Sequence, residues 1–102
     1  MVLLHRVKET MAIKDAEMYK GDRMGFNFRL YGEVMPALRD ALSGQNVTGD
    51  PENMARIRPL VMEAGRVLSK SQERSAAESK LLEALRDFKR EFLDEQVEDA
   101  AA

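Results

Sequence analysis

Two narrow apolar stripes at helical spacing constrain the fold of this chain more than any other sequence feature. The first stripe consists of Met54, Ile57, Val61, Ala64 and Leu68. The second consists of Leu81, Leu85, Phe88 and Phe92. Because apolar residues at intervals of three and four share one face of an α-helix, both stretches are predicted to be helices. Narrow, heptad-like stripes are typical of helices that pair with other helices, within one chain or between chains.

The first half of the chain indicates two further helices. Residues 3–19 keep a three-four apolar spacing, and Gly21 is a natural stop after them. A second helix ends before Ser43-Gly44. Pro36 leaves two starts open, because proline suits a first helical turn and disrupts a helix interior. The helix begins either near Met35 or near Asn27 with a kink at Pro36, and the continuous apolar face favours the longer alternative.

Helix boundaries in the second half follow from capping residues. Residues 43–50 form a loop rich in glycine and polar residues, and Asp50-Pro51-Glu52 is a strong helix start. Pro59 predicts either a kink in that helix or a start two turns later. The stretch 75–78, SAAE, matches a capping box and predicts a new helix there. One long helix through this region is the alternative, because only Gly65 is a strong breaker between residues 60 and 96.

The predicted fold is therefore an all-α bundle of three to four helices, or one in which the last two join as a long C-terminal helix. A chain of 102 residues suits one domain, which we place at residues 1–97. Residues 91–102 carry five acidic residues and no basic one, and 98–102 are expected to be a frayed acidic and alanine tail. The apolar run at residues 2–4 is too short for a signal peptide or membrane span, so a cytoplasmic protein without membrane contact is expected.

The residue inventory argues against an enzyme and against a metal site. The chain has no cysteine and one histidine, His5. A row of acidic residues runs at four-residue steps through Glu83, Asp87, Glu91 and Glu95. A dimetal carboxylate bundle would pair such residues with Glu-x-x-His motifs, which are missing. The chain also lacks a nucleophile elbow and a phosphate-binding glycine loop. We expect no cofactor, metal or small-molecule substrate.

Most aromatic residues are concentrated in the glycine-rich stretch 20–33 and just before it. The segment 25–31, GFNFRLY, has the glycine and aromatic spacing of the RNA-recognition-motif signature, in which alternate rings on a strand stack on bases. That fold requires four strands, and the sequence contains no second strand-like run. We therefore expect a turn between helices. Its rings either fill the core or lie together on the surface as a partner site, with Phe26, Phe28 and Tyr31 as the candidate residues.

Two groups of cations are spaced four residues apart, Arg66, Lys70 and Arg74, and then Arg86 and Arg90. In a helix, each group stacks like charges on one face, which costs a few tenths of a kcal/mol per pair unless an acidic group or a phosphate answers them. A solvated face neutralised by nearby glutamates is the simple interpretation. Phosphate contact is the alternative, and its candidate residues are Arg56, Arg58, Arg66, Lys70 and Arg74.

The function expected from these features is non-enzymatic binding to other protein chains, as an assembly subunit, adaptor, chaperone-like factor or inhibitor, or as a homo-oligomer. We expect the partner to bind either the aromatic cluster or the final apolar stripe, whose residues are Leu81, Leu85, Phe88 and Phe92. The alternative is a helical accessory subunit of a nucleoprotein complex, which would hold the phosphate backbone of nucleic acid through the Lys/Arg stripe.

Overall fold

A computed structural model describes residues 1–15, 29–72 and 74–94. In these residues it contains four α-helices, two π-helical segments and no strand. The elements are α1 (Val2–Asp15), π1 (Leu30–Val34), α2 (Met35–Leu42), α3 (Pro51–Lys70), α4 (Ala76–Phe88) and π2 (Lys89–Asp94). The predicted all-α bundle is confirmed.

The four α-helices pack in a closed ring in which each helix contacts two others. Helix α4 contacts α1 on one side and α3 on the other, while α2 packs against both α1 and α3. Both apolar stripes of the second half face the core between these helices. Their most enclosed members are Ile57, Ala64, Leu68 and Leu81, which have no exposed surface. Leu30, Met35 and Leu38 enter the same core from π1 and α2.

The segment around Pro36 combines features of both predicted starts. Helical structure is already present from Arg29, and Pro36 lies in the first turn of α2. The preceding turns are π-helical, and the Met35 N–H donates to the Leu30 carbonyl, five residues back. Since proline has no N–H, it cannot donate to the Gly32 carbonyl, and a wider turn relieves the contact between its ring and that carbonyl. The expected start at Asn27 lies outside the described residues.

Helix α3 begins at Pro51, and the alternative start after Pro59 is wrong. The Asp50 carboxylate accepts a hydrogen bond of 3.0 Å from the Glu52 N–H, which caps the helix where the sequence predicted. Pro59 lies inside α3 and is exposed. A good cap and an apolar face of five turns therefore outweigh the backbone hydrogen bond that proline removes.

Helices α3 and α4 are separate, so the alternative of one long C-terminal helix is wrong. The Glu78 N–H donates to the Ser75 hydroxyl at 3.1 Å, and the Ser75 N–H donates to Glu78 Oε1 at 2.9 Å. This reciprocal pair is the predicted capping box. On the other side of the break, the Arg74 guanidinium donates to the carbonyls of Leu68 and Ser71 at 3.0 and 3.2 Å. Both helix ends at the break are thus satisfied locally.

Candidate partner-binding surface

The final apolar stripe, expected to hold a partner, lies inside the chain itself. Leu81, Leu85 and Phe88 are at most 5% exposed. Phe92 is half-buried, and its ring lies 4.8 Å from the Phe88 ring, centroid to centroid. In this fold the first three side chains belong chiefly to the core, because α1 and α3 cover two sides of α4.

The aromatic cluster is represented in the described residues by Tyr31, since Phe26 and Phe28 lie outside them. Tyr31 is buried, and its hydroxyl donates a 2.8 Å hydrogen bond to Glu78 Oε2. The Glu78 side chain is itself fully buried. A ring that points inward is a core ring, so Tyr31 joins π1 to the start of α4. A carboxylate is stabilised there by the helix N-terminus and by the hydrogen bonds it accepts.

Tyr31 and Glu78 belong to a small buried polar group that the sequence did not reveal as such. Thr10 is 1% exposed, and its hydroxyl donates to the Arg6 carbonyl at 2.7 Å, with the Ala77 carbonyl at 3.5 Å. Helices α1 and α4 therefore meet at the same point that π1 reaches. The stretch SAAE predicted the capping box. It did not predict the hydrogen bond from Tyr31 to Glu78, because these residues lie 47 positions apart in the sequence.

Three of the five predicted phosphate-binding cations are engaged within the chain. Arg56 donates to the Asn53 side chain at 2.8 Å, and Arg66 donates to both carboxylate oxygens of Glu63 at 2.7 and 3.2 Å. Arg74 holds the C-terminal carbonyls of α3. Because α3 ends at Lys70, the expectation that Arg66, Lys70 and Arg74 stack on one helical face is wrong for Arg74.

The other two cations occupy different parts of α3. Arg58 is half-buried and lines a depression together with Leu93. Lys70 is exposed in the last turn of α3, where a cation suits the helix C-terminus. The structure therefore does not gather the five predicted residues into one patch.

A concave surface with a volume of about 580 Å³ lies between α3 and α4. We call it the α3–α4 groove. Its floor is made of the buried side chains Val61, Leu82 and Leu85. Its rim consists of Pro59, Met62, Glu63, Gly65, Arg66, Ser69, Arg86 and Lys89. An apolar floor with a polar rim has the composition of a binding groove.

The rim of the α3–α4 groove carries more positive than negative charge. Glu63 is bound by Arg66, and Arg29 approaches it at 3.3 Å. The hydrogen bond from Arg66, followed by the positive charges of Arg66, Arg29 and Lys70, holds the pKa of Glu63 below its usual value. The same hydrogen bond raises the pKa of Arg66. Arg86 is exposed, and its side chain has no hydrogen bond or ion pair with the described residues.

A second apolar depression of about 460 Å³ lies between the start of α1 and the end of α4. We call it the α1–α4 pocket. Its apolar lining consists of Met1, Val2, Leu3, Ala84, Phe88 and Phe92. Two acidic residues, Asp87 and Glu91, complete it. Arg90 pairs with Asp87, while Glu91 is exposed and has no ion pair with the described residues.

Large exposed apolar side chains occur only at these two surfaces within the described part of the chain. Met62 is 45% exposed on the α3–α4 groove, and Met1 and Val2 are 55% and 68% exposed on the α1–α4 pocket. The periodicity of α3 did not single out Met62, which directly follows the buried Val61. The abundance of methionine was the one available signal, since methionine-rich surfaces occur at partner grooves.

The described residues contain no group of three or more histidine, aspartate or glutamate side chains that could hold a metal ion. His5 is exposed on α1 with Glu9 at 3.8 Å. No helix among residues 1–15, 29–72 and 74–94 is long and apolar enough to cross a membrane. Comparisons of the chain with protein-family models, with curated proteins and with solved structures gave no match.

Proposed function

We propose that this protein is a non-enzymatic interaction module that binds an acidic amphipathic helix of a partner protein in the α3–α4 groove. The observation that carries the proposal is the groove itself, with an apolar floor, an exposed methionine and an excess of cations on its rim. Helices bind such grooves by inserting side chains spaced three, four and seven residues apart. An adaptor, assembly subunit, chaperone-like factor or inhibitor would each act through this kind of contact.

The apolar part of the surface accounts for affinity. Met62 lies beside Pro59 and Gly65 on the outer edge of the groove, and Leu82 and Leu85 close its floor from α4. Removing apolar area from water contributes roughly 25 cal/mol per Å². Methionine adapts its shape to different partner side chains because it is unbranched and polarisable. An inserted leucine or phenylalanine would therefore find both a fixed floor and an adaptable edge.

The charged part of the surface accounts for the preference for an acidic partner. Arg86 is unpaired within the described residues, and Arg66 keeps donors beyond those it gives to Glu63. Lys89 adds a third cation on the same rim. Complementary charge raises the association rate and disfavours partners of the wrong sign. A partner helix with glutamates flanking its apolar face would meet these cations.

The test is a binding measurement with two designed, labelled helical peptides that share one leucine face. One peptide carries glutamate at the flanking positions and the other carries lysine. We expect fluorescence anisotropy to show binding of the glutamate peptide, and backbone amide shifts confined to 59–69 and 82–89. The lysine peptide should bind at least about tenfold more weakly than the glutamate peptide. Added salt should weaken the binding of the glutamate peptide.

The matched variants are Arg86→Glu on the groove and Lys80→Glu on an exposed part of α4 outside it. Arg86→Glu should weaken the binding of the glutamate peptide about tenfold. Lys80→Glu should leave the affinity for this peptide within about twofold of that of the unmodified chain. Equal binding of both peptides, or shifts spread away from the groove, would contradict the proposal.

Phosphate-backbone binding in a nucleoprotein complex has weaker support. Arg56 and Arg74 donate to groups of their own chain, and the five predicted cations do not form one patch. We therefore expect little nucleic-acid binding in a low-salt mobility-shift assay, because few cations are free to replace counterions. Neutralising Arg66, Lys70 and Arg74 together should change that binding little. Steeply salt-dependent binding that this triple variant abolishes would favour the nucleoprotein hypothesis. The cytoplasmic location also stays a prediction, to be tested by cell fractionation.

A further inference from the structure

We infer that this chain associates with copies of itself head to tail, the α3–α4 groove of one copy resting on the α1–α4 pocket of the next. The inference rests on the proposed function of the groove and names its occupant as a second copy. The occupant is the end of the molecule that carries Val2 and Glu91.

The first support is the distribution of exposed apolar side chains. Within the described residues, all three large ones, Met1, Val2 and Met62, border one of these two surfaces. Burying these two surfaces therefore removes the largest exposed apolar side chains of the described residues from water. Exposed apolar surface rimmed by polar residues marks an interaction site. Joining the two surfaces would cover Met62 and Val2 together.

The second support is complementary charge. The groove carries Arg66, Arg86 and Lys89 with one acid, Glu63. The pocket carries Glu91 and Asp87, of which Asp87 is paired with Arg90. Arg86 and Glu91 both lack an ion-pair partner in the described part of their own chain. Placing Arg86 of one copy opposite Glu91 of the next pairs both charges at the edge of an apolar contact. Like-charged surfaces would meet in a groove-to-groove or pocket-to-pocket arrangement, which charge repulsion disfavours.

The third support is the position of the two surfaces on α4. Leu82, Leu85 and Arg86 face the groove, and Ala84, Asp87 and Phe88 face the pocket. At about 100° per residue, the centres of these two sets lie roughly half a turn apart around the helix axis. The surfaces thus point in nearly opposite directions. A contact between them is heterologous, so each copy keeps one free surface at either end and association continues into open chains or a ring.

We expect weak, concentration-dependent association rather than a permanent dimer, because the groove offers one large exposed apolar side chain, Met62, and the pocket two, Met1 and Val2. Interfaces at the low end of the size range are typical of transient complexes. The expected dissociation constant is on the order of 10 μM to 1 mM. Sedimentation velocity on the full chain should show the average mass rising with concentration beyond that of a dimer.

The decisive experiment uses two single variants that each destroy one surface. Arg86→Glu replaces the unpaired cation of the groove by an acid, and Glu91→Arg replaces the unpaired acid of the pocket by a cation. Each variant alone should sediment as a monomer. Mixed in equal amounts they should associate again, because the intact pocket of Arg86→Glu binds the intact groove of Glu91→Arg. The two altered surfaces are also opposite in charge, so association of the mixture can continue beyond a dimer.

The controls are Lys80→Glu and Glu83→Arg, which make the same charge changes on α4 at exposed positions outside both surfaces. Both should associate like the unmodified chain. Circular dichroism melts of all four variants verify that they are folded. The inference is overturned if the unmodified chain remains monomeric up to about 1 mM, or if the mixture of Arg86→Glu and Glu91→Arg remains monomeric.

The same experiments separate this inference from the proposed function. A monomeric chain that still binds the glutamate peptide overturns self-association and leaves the groove a site for another protein. A chain that assembles through both surfaces without binding the peptide supports self-association, and it contradicts the proposed partner helix. In an assembling chain that binds the peptide, the peptide should lower the average mass, because both compete for one groove.

Discussion

At the scale of single residues, the contacts that organise this protein join side chains far apart in the sequence. Glu78 accepts from the Ser75 N–H and from the Tyr31 hydroxyl while fully buried. Glu63 binds its neighbour Arg66 and also Arg29. The first carboxylate lies in the interior, where an unpaired oxygen is costly. The second is at the surface, where water and salt weaken its interactions.

Replacing Tyr31 with phenylalanine tests the buried contact. The ring remains in place, but Glu78 loses a hydrogen-bond donor in the core. We expect Tyr31→Phe to lower the free energy of unfolding by about 1.5–3 kcal/mol, measured by urea titration with circular dichroism. In a Glu78→Gln background the same change should cost less, because the two residues are coupled. Equal costs in both backgrounds would show that the hydroxyl does not depend on Glu78.

The pH dependence of stability tests the surface contact. The pKa of Glu63 is lower in the folded chain than its ordinary value of 4.5, chiefly because of the hydrogen bond from Arg66. The folded state therefore favours the ionised carboxylate, and this contribution is present above pH 4.5 and lost as the pH falls through the folded pKa. The unmodified chain should be more stable than Glu63→Gln above pH 4.5. This difference in unfolding free energy should disappear as the pH falls through the folded pKa of Glu63. The difference should shrink in 1 M salt. An advantage that grew on acidification would contradict this assignment.

At the scale of elements, caps decide where the helices begin and end. Asp50 starts α3, Ser75 starts α4, and the Arg74 guanidinium covers the carbonyls that α3 leaves open. Periodicity alone allowed one continuous helix, but α3 ends at Lys70 and α4 begins at Ala76. The π-helical turns before Pro36 show the same competition between backbone hydrogen bonds and side-chain chemistry.

Removing the cap of α4 should destabilise the protein more than removing a similar serine from the helix surface. Ser75→Ala breaks the capping box and should cost about 1 kcal/mol of unfolding free energy. Ser79 is exposed inside α4, and Ser79→Ala should be neutral or slightly stabilising because alanine favours helices. Thermal and urea unfolding of both variants provide the comparison. Equal effects would mean that the cap does not limit the stability of α4.

At the scale of the whole molecule, packing separates residues that build the fold from residues that are available to partners. Leu85 closes the floor of the groove and belongs to the core, whereas Met62 lies at the edge and contributes exposed surface. The stripe residues Leu85 and Phe88 line the groove and the pocket from within, whereas the exposed Met62 and Val2 lie outside the stripe. A stripe that covers one side of a helix becomes internal once two helices pack against it.

Two side-chain truncations should distinguish a residue that stabilises the fold from a residue that binds a partner. Leu85→Ala leaves a cavity and should lower the unfolding free energy by about 2–5 kcal/mol. Met62→Ala should change it by less than about 0.5 kcal/mol, while it weakens binding of the glutamate peptide several-fold. Urea unfolding and fluorescence anisotropy measure the two effects. A large loss of stability in Met62→Ala would move this residue from the partner surface into the core.

The sequence by itself determined the helical class, the two apolar helix faces and the caps at Asp50 and Ser75, because helical periodicity and capping depend on residues within a few positions of each other. Tertiary structure alone decided that Leu81 and Leu85 are enclosed, that Met62 is exposed beside them, and that Tyr31 reaches Glu78. It also assigned Arg74 to the end of α3. Burial depends on which distant helices cover a face, and no local spacing contains that information.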